Sequence, residues 1–273
     1  MVRSQRLFSS IGPVVAVVVF LAGAGHAFAA GDSTCWGGSI SSGAYSNLSI
    51  AGACTVDAGS VNVEHNLTVL PGASLVAITG GAGQVTSSDL TVGGNLDVKA
   101  NAVLVLGCEP IFYPCANDPD QVVGTFSTKH SVGGNLTAEN ALSVLVHHST
   151  IGRNISVDGG GGGISSCSQS LAVLGGAPPY GDFEDLMVGG NIIITGWHSC
   201  WLGMLRDHVM HNVNFEDNAT GDPDGNEMAN NSIGGNLNCS GNTPLPQIGD
   251  SGGGLSTVFG RANGQCNNPK LVH

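Results

Sequence analysis

The feature that most constrains the fold of this chain is a short Gly-Gly-Asn motif that returns many times in the same phase. The asparagines of the clear and the weaker copies are Asn47, Asn66, Asn95, Asn135, Asn154, Asn191, Asn212 and Asn236. The gaps between successive asparagines, counted along the chain, are 19, 29, 40, 19, 37, 21 and 24. The short gaps, from 19 to 24, indicate the length of one structural unit. The long gaps indicate one unit with an insertion or, for the gaps of 40 and 37, two units.

An apolar residue stands one and three places after each asparagine, as in Asn95-Leu-Asp-Val98, and nearly always three places before it. This alternation predicts a strand with one buried face. A unit this short cannot bury its apolar face alone, but stacked copies share a continuous core, as in a β-solenoid. The glycines then mark corners that need positive φ or close backbone approach. We expect the stacked asparagines to form a ladder of side-chain hydrogen bonds.

We therefore predict an all-β, single-domain parallel β-helix (solenoid) of about eight or nine coils, right-handed and stapled by disulfides. Eight coils stacked at about 4.8 Å make a rod roughly 40 Å long. An antiparallel sandwich is the alternative, although it does not explain why the same turn recurs in the same phase. β-branched residues and 43 glycines argue against a helical solenoid.

The N-terminal segment 1–29 has the layout of a secretory signal peptide. Arg3 and Arg6 form a basic start, an apolar run follows over 11–24, and Ala27-Phe28-Ala29 offers small residues for cleavage. The apolar run is too short to span a bilayer comfortably, which argues against a retained anchor. We expect the protein to be secreted, and either extracellular or associated with the cell wall.

The chain predicted after cleavage, residues 30–273, is strongly acidic. It keeps six of the eight Lys and Arg residues against all 20 Asp and Glu residues, so its formal net charge is −14. Such a surface repels nucleic acid and anionic lipid, so neither is expected as a partner. After the signal peptide no segment is long and apolar enough to predict a transmembrane helix. The remaining partner class is a cell-wall or extracellular glycan.

Eight cysteines follow the signal peptide, and their even number indicates disulfides. They are Cys35, Cys54, Cys108, Cys115, Cys167, Cys200, Cys239 and Cys266. Short loop closures favour the sequential pairs 35–54, 108–115, 167–200 and 239–266. Other pairings stay open, because eight cysteines allow on the order of 100 connectivities. No two cysteines form the C-x-x-C pair that is typical of a metal site.

Several segments together carry a family resemblance. They are the Gly-Gly-Asn-Leu repeats, Cys108-Glu-Pro…Pro-Cys115, Cys200-Trp-Leu-Gly203 and the ending 234–266. With these segments the mature chain resembles, over essentially its whole length, a group of secreted actinobacterial proteins of uncharacterised function. The repeats are also distantly similar to the polymer-forming bactofilins, which are cytoplasmic and lack disulfides. The second resemblance supports the β-helix, and neither implies an activity.

Insertions into the repeat are the places to expect a binding site, because loops that leave a rigid scaffold commonly carry function. Three are predicted, near 108–128, 158–184 and 216–231. The second insertion begins with five glycines, and the third is acidic. Both leave their coils four or five residues after the asparagine, so we expect them on the same side of the rod, with only the Asn191 coil between them.

The Asn191 coil holds two of the three tryptophans, which suggests a shallow glycan groove between the two loops. Aromatic rings and carboxylates are what a carbohydrate needs for stacking and hydrogen bonding. The candidate ligand-binding residues are Trp197, His198, Trp201, Asp182, Asp217, Asp222 and Asp224. In the alternative, both tryptophans pack beneath the loops and shield a disulfide between Cys167 and Cys200.

The sequence predicts no metal site and no cofactor. Asp222, Asp224 and Asn226 alternate as in a calcium loop, but Glu227 stands where the EF-hand glycine belongs, so a solvated acidic turn is favoured. The adjacent His147 and His148 would point to opposite faces of a strand and cannot easily chelate one ion. A structural or surface role is therefore assigned to the histidines.

Catalytic motifs are not recognisable in the sequence, and no catalytic residue is assigned. There is no Gly-x-Ser-x-Gly elbow, phosphate loop or zinc-protease signature. Carboxylate pairs for glycoside hydrolysis occur, but acidic residues are too common here to discriminate. We predict a secreted or cell-wall-associated structural or adhesive β-helix protein that is non-catalytic and able to bind a glycan. The alternative is a polysaccharide-active enzyme, a lyase or glycoside hydrolase, that acts on the loop-flanked face.

Overall fold

The computed structural model describes residues 31–56, 59–77, 87–107 and 127–273. These residues wind into a parallel β-helix in which successive coils add strands to three long sheets. Strands of neighbouring coils pair in parallel, as Leu96 does with Leu67 of the coil before and with Leu136 of the coil after. The predicted all-β parallel solenoid is therefore confirmed.

In the eight coils from Asn47 to Asn236, the strand of sheet A begins directly after the ladder asparagine. Within the described residues sheet A has ten strands, β1 (Ser33–Cys35), β4 (Leu48–Ile50), β7 (Leu67–Val69), β10 (Leu96–Val98), β13 (Leu136–Ala141), β16 (Ile155–Gly160), β19 (Ile192–Thr195), β23 (Val213–Glu216), β27 (Leu237–Ser240) and β29 (Ala262–Gly264). Ten strands at the usual coil spacing make a rod about 43 Å long.

Sheet B follows sheet A in each coil. The structure describes eight of its strands, β2 (Gly38–Ser39), β5 (Ala53–Thr55), β8 (Ser74–Ala77), β11 (Val103–Leu106), β14 (Ser143–His147), β17 (Gly181–Glu184), β21 (Leu202–Leu205) and β25 (Asn226–Ala229). Several of these strands are buried on both faces, because other segments cover the outer surface of this sheet.

Sheet C closes the coil. Its nine described strands are β3 (Gly43–Tyr45), β6 (Gly59–Val63), β9 (Ser87–Val92), β12 (Ser127–Val132), β15 (Ser149–Ile151), β18 (Met187–Val188), β22 (His208–Val209), β26 (Ser232–Ile233) and β28 (Thr257–Val258). Two late coils add a short fourth side, made of β20 (His198–Ser199) and β24 (Ala219–Thr220). Two 3-10 helices, Ile164–Ser168 and Ala172–Leu174, lie in the insertion that precedes β17.

The core is the interior of the coil, and the period-two pattern fills it. In sheet A the residues one and three places after the asparagine point inward, so Leu96 and Val98 are fully buried while Asp97 between them is not. Burying one leucine or valine side chain stabilises the fold by about 1.5–3 kcal/mol. The inward columns of the three sheets merge into one continuous apolar cluster along the rod.

The expected asparagine ladder is present along sheet A. The Oδ1 atom of each ladder asparagine accepts the backbone N–H of the ladder asparagine in the next coil, at 2.9–3.1 Å. Asn236 extends the ladder by accepting the N–H of Arg261. Four steps also have a bond between the side-chain amides. Each ladder asparagine therefore belongs to its own coil, and successive asparagines mark successive coils.

The glycines of the Gly-Gly-Asn motif serve close approach rather than positive φ. A Cβ atom placed at Gly133 would lie 2.5 Å from the carbonyl oxygen of Gly93 in the coil below. Neither residue has a positive φ. Positive φ occurs instead at other corners of the coil, for example at Asp185 and Arg206.

The long gaps between asparagines are single coils with an insertion, because β10 pairs directly with β13 and β16 pairs directly with β19. The second insertion spans 161–180, since 158–160 belong to β16 and 181–184 to β17. The segment 216–231 differs from the prediction of a loop. It forms β24 and β25, with a short turn at 221–225 between them.

Three disulfides join the predicted sequential pairs and are confirmed. Cys35–Cys54 staples the first two coils, with a Cα–Cα distance of 6.4 Å. Cys239–Cys266 staples the last two, at 5.3 Å. Cys167–Cys200 ties the insertion 161–180 to the Asn191 coil, at 4.6 Å. The rod is thus cross-linked at both ends and where the insertion leaves it.

Several predictions fall on segments outside the described residues. The signal peptide 1–29, the insertion 108–126 and the disulfide between Cys108 and Cys115 all lie there. Residues 127 and 128, which were included in that insertion, belong to β12. Among the helices of the described ranges, none has the length and apolar character needed to cross a membrane.

Candidate functional site

Trp197 lies inside the β-helix, which corrects the predicted groove. It is 0% exposed, and its Nε1 donates a hydrogen bond to Ser199 Oγ at 2.8 Å. A Cβ atom at Gly181 would come within 3.1 Å of the indole ring, so the absence of a side chain there leaves room for the tryptophan. Trp197 is therefore a core residue that fills the widened Asn191 coil, and it cannot form the floor of a surface site.

Trp201 lies on the outer surface of sheet B, half-buried over Gly203. A Cβ atom at Gly203 would come within 2.8 Å of Cζ2 of the indole ring, so only glycine leaves room there. The indole Nε1 donates a hydrogen bond to Glu227 Oε1 at 2.8 Å. The ring of Tyr180 packs edge-on against the indole, with 6.1 Å between the ring centroids. Burial raises the pKa of the Glu227 carboxyl. Trp201 is thus held by a polar and an aromatic partner, beside Asp182 on the neighbouring strand.

The insertion 161–180 and the turn 221–225 do meet over the Asn191 coil. The N–H of Gly163 donates to the carbonyl of His198 at 2.7 Å. A Cβ atom at Gly221 would lie 2.9 Å from Cys167 Sγ, beside the disulfide. The segments therefore pack onto the coil and around the disulfide, as the alternative interpretation of the sequence expected, instead of standing apart as walls of a groove.

The remaining groove candidates are scattered. Asp217 is exposed at a corner with φ of 55°, and its carbonyl oxygen lies 3.3 Å from His198 Nε2. Asp222 and Asp224 share the turn 221–225, where the side-chain hydrogen bond from Asp224 is the main cause that raises the pKa of Asp222. Asp182 lies on sheet B with a different set of partners.

Those partners form a buried group of ionisable side chains on the outer surface of sheet B. We call it the acid–histidine cluster, made of His147, Asp182, Glu184, Asp185 and Arg206. His147 Nε2 lies 2.9 Å from Asp182 Oδ2, and His147 Nδ1 lies 3.5 Å from Glu184 Oε2. β14 and β17 pair with His147 opposite Glu184, and Asp182 stands two residues earlier on the same face. These three side chains are only 4, 7 and 9% exposed.

Arg206 joins the cluster from the corner after β21. Its Nη2 pairs with Glu184 Oε1, and its Nε lies 3.1 Å from Asp185 Oδ1. One guanidinium therefore serves two carboxylates, while Glu184 Oε2 stays turned toward His147. Among the described residues the Oδ1 atom of Asp182 is buried and has no hydrogen-bond partner. Leaving a buried acceptor unsatisfied costs about 1–3 kcal/mol, and more for a charged group.

Two further ionisable groups lie in the interior corner between sheets B and C. Asp207 Oδ1 accepts the N–H of Leu186 at 3.0 Å, and burial raises the pKa of Asp207 well above its usual value. His130 Nδ1 accepts the N–H of Leu90 at 3.1 Å. Burial, and then the charge of His148, lowers the pKa of His130 to about 3. Burial therefore favours the neutral form of both groups, which act as parts of the corner.

The outer surface of sheet A is polar along the rod, with Ile193 as the one apolar residue of its second column. We call it the amide face, made of the ladder asparagines and of the residues two places after each. The second column reads Ser49, Thr68, Asp97, Thr137, Ser156, Ile193, Asn214 and Asn238, followed by Asn263 in the last coil. Asn238 Nδ2 donates to Asn214 Oδ1, and Asn263 Nδ2 donates to Asn238 Oδ1, both at 2.8 Å.

A shallow depression of about 410 Å³ marks the C-terminal part of the amide face. It is lined by Asn191, Ile193, Asn212, Asn214, Asn236 and Asn238. Each side-chain amide has two N–H donors and an oxygen with two acceptor sites, and the ladders use only part of them. The depression therefore offers several donors and acceptors at fixed spacing to a ligand in solvent.

Sequence reasoning did not find the acid–histidine cluster, although the repeat carries the signal. His147 stands seven residues before Asn154, and Glu184 stands seven residues before Asn191. Equal distances from the ladder asparagine place two residues side by side on adjacent coils. The predicted insertion, 158–184, was too long: it included Glu184, which belongs to strand β17. The amide face was missed because each residue of its second column is simply the outward residue between two buried ones, as in any strand with one buried face.

No protein-family model, no curated protein and no solved structure matches this chain. The resemblances named from the sequence therefore stay predictions.

Proposed function

We propose that this protein is a non-catalytic, secreted or cell-wall-associated structural protein that binds a neutral extracellular glycan along its amide face. The observation that carries the proposal is the unbroken asparagine ladder of sheet A. It holds two columns of side chains in register, all polar except Ile193, with one step of about 4.8 Å per coil. A regular array of this kind is suited to a polymer whose hydroxyl groups also repeat along its length.

The chemistry of the amide face supports hydrogen bonding to hydroxyl groups. Amide and hydroxyl side chains both donate and accept, as sugar hydroxyls do. The bonds between Asn214, Asn238 and Asn263 hold these side chains in place before a ligand arrives. Less side-chain entropy is then lost on binding, so each contact contributes more to affinity.

Charge favours a neutral glycan over an anionic one. The formal net charge of the chain is −12, which repels anionic polymers. Within the described part of the second column, Asp97 is the one charged residue between Ser49 and Asn263. A neutral polymer would meet mostly amides and hydroxyls, with little cost for desolvating charges.

The non-catalytic role is supported by the burial of the acid–histidine cluster. A glycosidase or lyase needs carboxylates or a base that the substrate can reach. His147, Asp182 and Glu184 are each less than a tenth exposed. The three disulfides are consistent with an oxidising compartment, since such bonds are rare in the cytosol.

The proposal is tested by cosedimentation of the purified protein with three insoluble neutral glycans, namely cellulose, chitin and a β-1,3-glucan. The test variant is Asn214→Ala/Asn238→Ala, which empties two steps of the depression. The matched control is Thr150→Ala/Ser232→Ala on the outer surface of sheet C. Two hydrogen-bonding groups at about 1 kcal/mol each predict roughly tenfold or greater weakening for the first variant. The control should bind as the wild type does.

Failure of the wild type to bind any of the three glycans would overturn the proposal, as would equal losses in both variants. Release of soluble sugars from any of them would favour the alternative, a polysaccharide-active enzyme. Trp197→Ala is not a useful binding variant, because it removes a fully buried core side chain.

A further inference from the structure

We infer that the acid–histidine cluster is a binding site for a divalent transition-metal ion, with one nitrogen of His147 and one oxygen each of Asp182 and Glu184 as ligands. The three donor atoms lie within 4.8 Å of one another. One imidazole and two carboxylates form a mixed N/O set that suits Zn²⁺, Fe²⁺ or Mn²⁺. The site is independent of the amide face, which belongs to a different sheet.

The cluster has an acceptor that its own residues leave unused. The side chain of Asp182 is 7% exposed, and its Oδ1 atom has no hydrogen-bond partner among the described residues. An uncompensated buried oxygen of this kind is expensive to keep in the fold. A metal ion bound to one nitrogen of His147 and to Asp182 would satisfy that oxygen or its neighbour Oδ2.

The charge balance also favours an added cation. Asp182, Glu184 and Asp185 bring three carboxylates together, and Arg206 supplies one permanent positive charge. A divalent ion on the Asp182 side would balance the other two carboxylates. Arg206 is the one permanent cation of the cluster, so a metal-bound state compensates the site more fully.

Arg206 acts as a positioning residue for this site. It occupies Glu184 Oε1 and leaves Oε2 directed at the ring of His147. Guanidinium contacts to a ligating carboxylate fix its orientation, as outer partners of the ligands do in known metal sites. Glu184 is thereby held with one oxygen available to the ion.

A bound ion would link two coils across the largest described interruption of the rod. His147 belongs to β14 and the two carboxylates to β17, and the insertion 161–180 lies in the connection between these strands. The ion would thus complement the Cys167–Cys200 disulfide, which anchors the insertion itself. Its role would be structural, because the ligands are buried.

The experiment is a metal titration of the full chain after removal of metals with EDTA. Isothermal titration calorimetry with Zn²⁺ alone and with Mn²⁺ alone should show one ion per chain, and elemental analysis after gel filtration should find it retained. Asp182→Asn keeps the shape of the ligand and should weaken affinity by more than about 100-fold, since changes to the outer partners of a ligand alone cost about 10- to 100-fold. His147→Gln should do the same.

Asp222→Asn is the matched control, because it removes an acid from the turn 221–225 and should leave binding unchanged. Circular dichroism of each variant verifies folding, and a rise in Tm on adding Zn²⁺ should occur in the wild type and the control but not in Asp182→Asn. Absence of stoichiometric binding of either ion to the folded wild type would overturn the inference. Binding that survives in folded Asp182→Asn and His147→Gln would also overturn it, by placing the ion elsewhere.

Discussion

Replacing Asp207 with asparagine is expected to stabilise the protein at neutral pH. Asp207 is 1% exposed, its Oδ1 accepts the N–H of Leu186, and among the described residues its Oδ2 has no partner. One coil further on, Asn231 holds the same corner position: it accepts the N–H of Asp207 at 2.9 Å, and its Nδ2 donates to the carbonyl of Met204 at 2.7 Å. An amide at 207 would find the equivalent carbonyl, that of Phe183, one coil back.

The size of the expected stabilisation follows from the ionisation of the Asp207 carboxyl group. Burial raises the pKa of Asp207 well above its ordinary value of 3.8, so the folded chain keeps the proton while the unfolded chain releases it. The stability is intact below about pH 4 and falls as the pH rises, by about 1.4 kcal/mol per unit until the folded group ionises. At pH 7 the loss is at most roughly 4 kcal/mol. Asp207→Asn removes this loss, so we expect a gain in stability at pH 7 of up to that size.

The assay is urea unfolding followed by circular dichroism, for wild type and Asp207→Asn between pH 3.5 and pH 8. The stability difference should be near zero at the acid end and grow toward pH 7. Asp217→Asn is the control, since Asp217 is exposed at its corner and its replacement should change stability by less than about 0.5 kcal/mol. A loss of stability in Asp207→Asn, or a gain that does not depend on pH, would refute the reasoning.

Three further predictions concern the core, the histidine corner and the first disulfide. Trp197→Ala should lower the free energy of unfolding by about 3–5 kcal/mol in urea titrations, and Trp201→Ala by clearly less, because only Trp197 is fully buried; equal losses would contradict its placement. The pKa of His130 is lowered to about 3, so the folded chain stays neutral there while the unfolded chain takes up a proton below about pH 6.5. Stability should therefore fall by up to about 1.4 kcal/mol per unit of acidification, and His130→Asn, which keeps an acceptor for Leu90, should reduce that slope; an unchanged slope would contradict the assignment. Removing the Cys35–Cys54 bridge, with Cys35→Ala/Cys54→Ala, should cost about 3 kcal/mol, seen as a lower Tm by calorimetry; an unchanged Tm would show that this staple does not stabilise the first coils.

The repeat made most of the architecture predictable. Because each ladder asparagine begins a coil, its position alone sets the register of the strands that follow, and Leu96 pairs with Leu136 although the two are far apart in the sequence. Sequential cysteine pairing was predicted from short loop closures, and it agrees with the stacking, since it joins neighbouring coils or the insertion to the adjacent coil.

The two tryptophans show where period-two alternation no longer predicts the direction of a side chain. Counting by twos places Trp197, Ser199 and Trp201 on one face, yet Trp197 and Ser199 are buried in the interior and Trp201 lies on the outer surface of sheet B. A short fourth side, β20, and the corner after it reset the alternation between the two tryptophans. Such a corner depends on the neighbouring coil, which composition and spacing do not reveal.

The prediction of a loop at 216–231 was wrong for a related reason. The composition of this segment is typical of a solvated loop, but Glu227 lies on β25, is 1% exposed and bonds to Trp201. Acidic side chains on the outer surface of sheet B are buried by segments that return from elsewhere, such as the backbone at Ser251, whose N–H donates to Glu227 Oε2. Hydrophobic patterning reports the inner face of a coil, and it carries no information about what covers the outer one.

The asparagine ladder is the central claim, and hydrogen exchange in Asn154→Ala tests it most directly. The substitution removes the Oδ1 atom that accepts the N–H of Asn191 at 2.9 Å, while the N–H of residue 154 keeps its bond to Asn135 at 3.1 Å. Losing a bond of about 1–3 kcal/mol predicts roughly tenfold or faster exchange at the Asn191 amide, one coil away, with little change at residue 154. Faster exchange confined to residue 154 and its sequence neighbours, with Asn191 unchanged, would contradict a ladder with one coil per asparagine.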